Sequence, residues 1–501
     1  MSAKALMVQG TMSGVGKSLL VAGLCRVLAQ DGLRVAPFKS QNMALNSAIT
    51  REGLEMGRAQ VVQAEAAGIE PTAAMNPVLL KPTTDVGSQV IVRGKPIGTM
   101  PAREYFAFRH TLKDQIMAAY RELADDFDVI LIEGAGSPVE LNLKRDDIVN
   151  MGMAKMAQAP VLLVGDIDRG GVFAQLIGTM DLLEADERRM VRASVVNKFR
   201  GDATLFDEGL AILHERMGVP VAGLVPYMHV DIDDEDSLSD RLTARHATGV
   251  VDVAVIRLPR ISNFTDFIAL EAIEGVGVRY VGRPEELGRP DLIILPGTKA
   301  TIADLRWLRE SGLATTVQRA AAQGTPVLGI CGGYQMLGLS ISDPAGMEGG
   351  GEVAGLGLLP VRTTFCEQKR MTQSEGAFAS VAGALSALSG QRVRGYEVHM
   401  GQTVREGGAP LLEIVGQEGG TVPDGCQSGN VYGCYLHGLF DSSEAGRALV
   451  AALLAAKGLD ASAVQAQDMA AYRQRQYDLL AEGIRQGMDL DLVHRIIEEG
   501  L

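Results

Sequence analysis

With 501 residues, 47 % of them hydrophobic and 22 % charged, the chain is long enough for more than one domain and too apolar to be disordered. Its 47 Lys+Arg against 61 Asp+Glu leave a net charge of −14, which argues against nonspecific nucleic-acid or anionic-membrane binding but leaves room for a local basic patch that holds a small anion. Five cysteines (Cys25, Cys331, Cys366, Cys426 and Cys434) form no CxxC pair and are odd in number, so neither a disulfide framework nor a zinc site is expected, and a reducing cytoplasm is.

The N-terminal "MSAKALMVQG" runs into a strand without the basic and apolar regions of a signal peptide, and no apolar run approaches the roughly 18 residues of a membrane span. Short β-rich runs then alternate with helical patterns. "ALMVQ" (5–9), "DVILIE" (128–133), "APVLLVGD" (159–166), "ASVVNK" (193–198) and "VAGLVP" (221–226) read as buried parallel strands, with amphipathic stretches at 18–30 and 103–123 between them. This alternation predicts a doubly wound α/β domain over 1–230. The acidic stretch 231–250 reads as a linker. Strands resume at "VDVAVIRL" (251–258), "GVRYV" (277–281), "DLIILPG" (291–297) and "TPVLGIC" (325–331), predicting a second α/β domain over 251–445 and a charged helical tail over 446–501.

Within the first domain, "VQGTMSGVGKSLL" (8–20) joins a strand to a helix, the context of a phosphate loop. Backbone N–H groups around Gly10, Thr11, Gly14 and Gly16 would surround phosphate oxygens, with Lys17 as a point charge and Ser18 as a hydroxyl ligand for Mg²⁺. The strict spacing fails, since its first glycine position is Thr11; Gly10 makes the loop one residue longer. Glu133 ends the strand in "DVILIEGAGSP" (128–138), where a carboxylate suits Mg²⁺, and Asp166 of "LLVGDIDRGG" (162–171) ends another, where a metal ligand and a helix cap are equally good readings. Asn197 in "VVNKFRGD" (195–202) stands near the end of another strand, a place where Asn also suits any turn. "FKSQNMALNS" (38–47) carries Gln41, Asn42 and Asn46, amides suited to a substrate with many carboxylates and amides, or to a capped loop.

In the second domain, "LGICGGYQML" (328–337) has the form G-x-C-x-G around Cys331: a strand, a sharp turn and a helix that would lift a thiol into a site. A helix N-terminus favours thiolate, and the N–H of Gly332, with a second from near Gly297 in "LPGTKAT" (295–301), would face a developing oxyanion. A base is needed: His437 in "NVYGCYLHGLF" (430–440) is the candidate, with His399 in "GYEVHMG" (395–401) as its rival.

The phosphate loop resembles that of dethiobiotin synthetase and its amide-forming relatives. The cysteine elbow with "YLHG" resembles the class I glutamine amidotransferase domain. In this order, together with "QNMALNS", "VILIEGAGSP" and "VVNKFRGD", the motifs resemble the cobyric acid synthase family of cobalamin biosynthesis over essentially the whole chain. The resemblance implies a carbon–nitrogen ligase in which Cys331 and His437 free ammonia from glutamine and a P-loop site, with Asn197 on its nucleotide-side loop bonding the adenine, uses MgATP to activate a corrinoid carboxylate. It implies amidation of the b, d, e and g side chains of adenosylcobyrinic acid a,c-diamide, with small molecules (corrinoid, ATP, glutamine) as partners and neither nucleic acid nor membrane. A departure stands out: Leu439 occupies the place, two residues after the histidine, where wider amidotransferase triads carry Glu, so what orients His437 is open. Two other readings stay open: the sister enzyme that makes the a,c-diamide, and a non-catalytic P-loop switch of the partitioning-ATPase kind.

Overall fold

A computed structural model of the chain describes residues 3–83, 87–233, 249–348, 350–416, 420–460 and 468–501. Most of the expected linker, 234–248, lies outside the described residues. The chain divides into two compact units, one of residues 1–43, 55–233 and 473–501, the other of residues 44–54 and 234–472.

The first unit is built on a six-stranded parallel sheet in the order Val221–Pro226, Val191–Phe199, Val161–Asp166, Lys4–Gly10, Val129–Glu133, Val35–Phe38. Its strands are near-continuous Val, Ile and Leu because helices cover both faces, as parallel sheets require. Lys4–Gly10 lies between its two neighbours in parallel register, Val8 opposite Glu133 on one side and Gly10 opposite Val164 on the other. The C-terminal ends of these three strands therefore gather Gly10, Glu133 and Asp166 at one edge, where open α/β sheets bind ligands. The amphipathic stretch at 103–123 is not one helix but Ala102–Phe108, a 3₁₀ turn over Arg109–Leu112, and Lys113–Asp126. A smaller sheet, Gln41–Met43, Val78–Pro82, Gly87–Val92 and Lys95–Pro101, stands beside this one and has no counterpart among the strands expected from sequence.

In the second unit a sheet runs Val276–Val281, Val251–Ile256, Leu292–Leu295, Val327–Ile330, Val431–Cys434, Cys426–Ser428, parallel except for the last strand. A second sheet is dominated by the long antiparallel pair Val361–Phe378 and Arg392–Arg405. This hairpin alternates buried and exposed residues over its first turns, Val361, Thr363 and Phe365 inward, the pattern of a sheet wet on one face.

The charged tail does not pack as one body. Helix Ser443–Ala456 joins the core of the second unit through Leu449, Val450 and Leu453. From Arg473 onward the chain belongs to the first unit, where Ala481, Ile484, Val493, Ile496 and Ile497 are buried against helix Lys17–Gln30 and the sheet. Gly23 makes this docking possible: a Cβ there would lie 2.5 Å from Ile484.

Candidate active sites

In the first unit the phosphate loop follows the Lys4–Gly10 strand and ends at helix Lys17–Gln30. Gly14 and Gly16 hold φ of 75° and 93°, a region that L side chains rarely adopt, and a Cβ at Gly16 would strike the Asn197 amide at 2.4 Å. Lys17 is 7 % exposed and donates to the carbonyls of Met12 (3.0 Å) and Gly136 (3.2 Å), so its charge is held inside the loop. Ser18 donates to Glu133 Oε1 at 2.9 Å. Glu133 is buried and receives two further donors, Lys39 Nζ at 2.8 Å and Gln63 Nε2 at 2.6 Å.

Both acids are buried and have both oxygens bonded. Asp166 accepts from Lys198 Nζ (2.8 Å) on one oxygen and from the backbone N–H of Asp168 (2.9 Å) on the other. Glu133 adjoins the Ser18 hydroxyl, and Gln63 Oε1 beside it is buried without a hydrogen-bond partner among the described residues. Hydroxyl, carboxylate and an orphan amide oxygen form a hard-oxygen donor set that fits Mg²⁺. Asn197 lies under the loop, donating to the Val15 carbonyl at 2.8 Å, while Thr11 bonds Gln175 at 3.1 Å. Sequence reasoning passed over Lys39, although it lies in the quoted "FKSQNMALNS"; a lysine after a strand has no signature until its acid partner is known.

Beside this loop a cavity of about 260 Å³ is lined by Gln41, Met43, Met100, Tyr105, Phe106, Arg109, Ser137 and Lys144, among others. Met43 and Phe106 are exposed, and Gln41 Oε1 accepts from the Tyr105 hydroxyl at 2.5 Å. Arg109 lies over the Phe106 ring at 4.6 Å, and its Nε has no hydrogen-bond partner among the described residues. Asn42 is buried and donates to Gln60. Asn46 is not with Gln41 and Asn42: it belongs to the other unit.

In the second unit the elbow is sharp. Cys331 has φ 53° and ψ −109°, far from helix or strand, at the end of Val327–Ile330 and the start of the short helix Gly332–Leu337. Each flanking glycine is required by a close approach. A Cβ on Gly333 would lie 1.9 Å from the Leu295 carbonyl oxygen, and one on Gly332 would lie 2.7 Å from the Thr298 methyl. Gly332 is thus set against the loop after Leu292–Leu295, the loop that carries Gly297 and Thr298.

His437 follows the strand Val431–Cys434, which pairs in parallel with the cysteine strand. It is buried, and a Cβ on Gly297 would come 2.9 Å from its Cε1. Cys331, Gly297 and His437 therefore sit at the C-terminal ends of three adjacent parallel strands. The acid that the sequence left open is Asp266: its Oδ2 is 2.7 Å from His437 Nδ1, and its Oδ1 accepts the Gly438 N–H at 3.0 Å. Burial opposes charge on the imidazole, but Asp266, together with the hydrogen bond and charge of Cys331, outweighs it and raises the His437 pKa to about 10. The rival, His399, points elsewhere: it contacts the Gly401 carbonyl (2.9 Å) and Glu397 (3.3 Å) and stacks on Tyr435.

Comparison with known proteins gives a family model for each unit's main segment. Residues 6–237 match the CobQ/CobB/MinD/ParA nucleotide binding domain, and residues 252–445 match the CobB/CobQ-like glutamine amidotransferase domain. The chain is 55 % identical to a cobyric acid synthase of Ruminiclostridium cellulolyticum, over 100 % of this chain and 98 % of that one. It is 53 % identical to the cobyric acid synthase of Lachnoclostridium phytofermentans over the full length of both, and 52 % identical to that of Citrobacter koseri over 99 % of each.

Proposed function

The chain belongs to the cobyric acid synthase family, glutamine amidotransferase ligases of cobalamin biosynthesis, and from that premise we propose how its residues divide the reaction. The observation that carries the proposal is the buried Cys331–His437–Asp266 constellation in a chain that also holds a Lys17–Ser18–Glu133 phosphate site.

In the second unit, the Cys331 sulfur attacks the side-chain carboxamide carbon of glutamine, and the oxyanion faces the backbone N–H groups of Gly332 and the Gly297–Thr298 loop. The C–N bond breaks as His437 delivers its proton to the departing nitrogen, leaving a thioester and ammonia. Water, losing its proton to His437, then hydrolyses the thioester to glutamate and restores the thiol. Asp266 holds the Nδ1–H tautomer, so Nε2 is the atom that exchanges protons with the sulfur and the leaving group.

In the first unit, a corrinoid carboxylate attacks the γ-phosphorus of ATP, ADP departs, and ammonia displaces phosphate from the acyl phosphate, one ATP per amide. Lys17 and the loop N–H groups bind the phosphates. Ser18 and Glu133 would hold Mg²⁺, which supplies charge neutralisation at the phosphate oxygens. Lys39 holds the Glu133 carboxylate in place. The cavity walled by Met43, Met100 and Phe106 suits an apolar macrocycle edge, and Arg109, Lys144 and Gln41 suit its peripheral carboxylates and amides. The substrate is adenosylcobyrinic acid a,c-diamide, amidated at b, d, e and g.

The test compares nitrogen donors. Cys331→Ala should make no amide from glutamine yet make it from concentrated ammonia, at a pH where enough is unprotonated. Amide formation from glutamine by this variant, in ammonia-free solution, would remove the cysteine from the mechanism.

A further inference from the structure

Residues 44–54 stand far from the glutaminase motifs in the chain, yet they fold into the same compact unit, and their contacts converge on His437. Asn46 Oδ1 accepts the backbone N–H of Asn263 at 2.8 Å, and in return the Ser47 N–H donates to Asn263 Oδ1 at 3.2 Å. Both asparagines and Ser47 are buried. Asn263 is held at φ 54° and caps the turn Phe264–Phe267, its carbonyl accepting the Asp266 N–H at 3.1 Å. That turn aims Asp266 at His437 Nδ1, while Asn263 Nδ2 itself lies 3.4 Å from His437 Nε2. A third tether reaches the other neighbour of the imidazole: Tyr396 stacks on the His437 ring, and its hydroxyl donates to the Ser47 carbonyl at 3.2 Å.

The geometry points to Asn46 as a positioning residue of the glutaminase site: it fixes Asn263, and through the Asn263–Asp266 turn it sets the imidazole against Cys331. This rests on the reading of Cys331 and His437 as the glutamine-splitting pair. Asparagine tolerates the left-handed region better than most residues, and local hydrogen bonds of its side chain and backbone fix it there. Asn46 and Ser47 supply two of the bonds that do so, and both come from a segment covalently continuous with Gln41–Met43, which line the other unit's cavity and sheet.

Asn46→Ala removes the acceptor and Asn46→Asp keeps one. Asn46→Ala should lower glutamine-dependent synthesis roughly tenfold, the worth of one buried hydrogen bond, and leave ammonia-dependent synthesis within about twofold. Because a loosely held imidazolium supports the thiolate less well, alkylation of Cys331 by iodoacetamide, followed on its own peptide, should begin at a higher pH. Asn46→Asp should return the glutamine-dependent rate to within roughly threefold of the parent. Tyr396→Phe, which keeps the stacked ring and deletes only the Ser47 tether, gives the same displacement in smaller measure and guards against misfolding of Asn46→Ala. Equal loss with both nitrogen donors, or an unmoved alkylation profile in both Asn46→Ala and Tyr396→Phe, overturns the inference. The Cys331→Ala control separates the two readings: if it still splits glutamine the glutaminase assignment itself fails, and if it is inactive while the alkylation profiles stay put only the role of Asn46 does.

Discussion

Asp266 is the residue on which the proposed glutamine-splitting chemistry turns, through its 2.7 Å contact with His437 Nδ1. The imidazole it faces is buried, which alone would lower the His437 pKa, yet that pKa stands near 10 because the carboxylate and the Cys331 sulfur favour the charged ring. A folded-state pKa raised above the ordinary value of about 6.5 stabilises the protein fully below that pH, and the stabilisation fades as pH rises through about 10. Asp266→Asn should therefore cost most stability near pH 6, and the gap to the parent in denaturant unfolding should narrow toward pH 10. Glutamine hydrolysis by this variant should fall by roughly a hundredfold or more, the usual worth of a correctly held general base. A stability gap that is constant across this pH range would mean that Asp266 does not set the charge on His437. At the phosphate loop, Lys17 is the charge buried inside the loop, donating to the Met12 and Gly136 carbonyls. Lys17→Ala should lose synthesis with glutamine and with ammonia alike, read as ADP release with each donor.

At the scale of elements, two close packings decide whether the sites are held. The helix after Cys331 rests on the strand Leu292–Leu295 so tightly that Gly333 has no room for a methyl group. Gly333→Ala has to push that helix off the strand. A loss of about 3 kcal/mol on urea unfolding is expected, with glutamine-dependent synthesis falling further than ammonia-dependent synthesis. In the first unit, residues 473–487 of the helix Met469–Gly487 deliver Ile484, fully buried, to the face of helix Lys17–Gln30, whose first residues close the phosphate loop. Ile484→Asp places a charge in that core and should destabilise by several kcal/mol, ~4 or more, with ammonia-dependent synthesis lost at temperatures the parent tolerates. Retention of the parent's melting temperature would show that the helix carrying Ile484 is not part of this core.

For the whole molecule, much of the design was readable from the chain because it is local. A phosphate loop is a strand, a turn and a helix in sequence; so is a cysteine elbow, and their glycines and terminal Lys17, Ser18 and Cys331 stand at fixed offsets from one another. The parallel strands were readable too, since burial on both faces leaves unbroken Val, Ile and Leu runs. What tertiary structure alone decided is everything that depends on which strand ends become neighbours. Asp266 lies in "SNFTDF", 171 positions from His437, where no pattern distinguishes it from any acid in a helical turn. Lys39 and Gln63 become partners of Glu133 only when three elements meet. Asn46 stands only four residues after Asn42 and five after Gln41, yet it falls in the other compact unit. Hydrogen-bond partners are chosen within a few ångströms of space, and the sheet order that sets those distances is a cooperative outcome of burying the whole core, which no local stretch records.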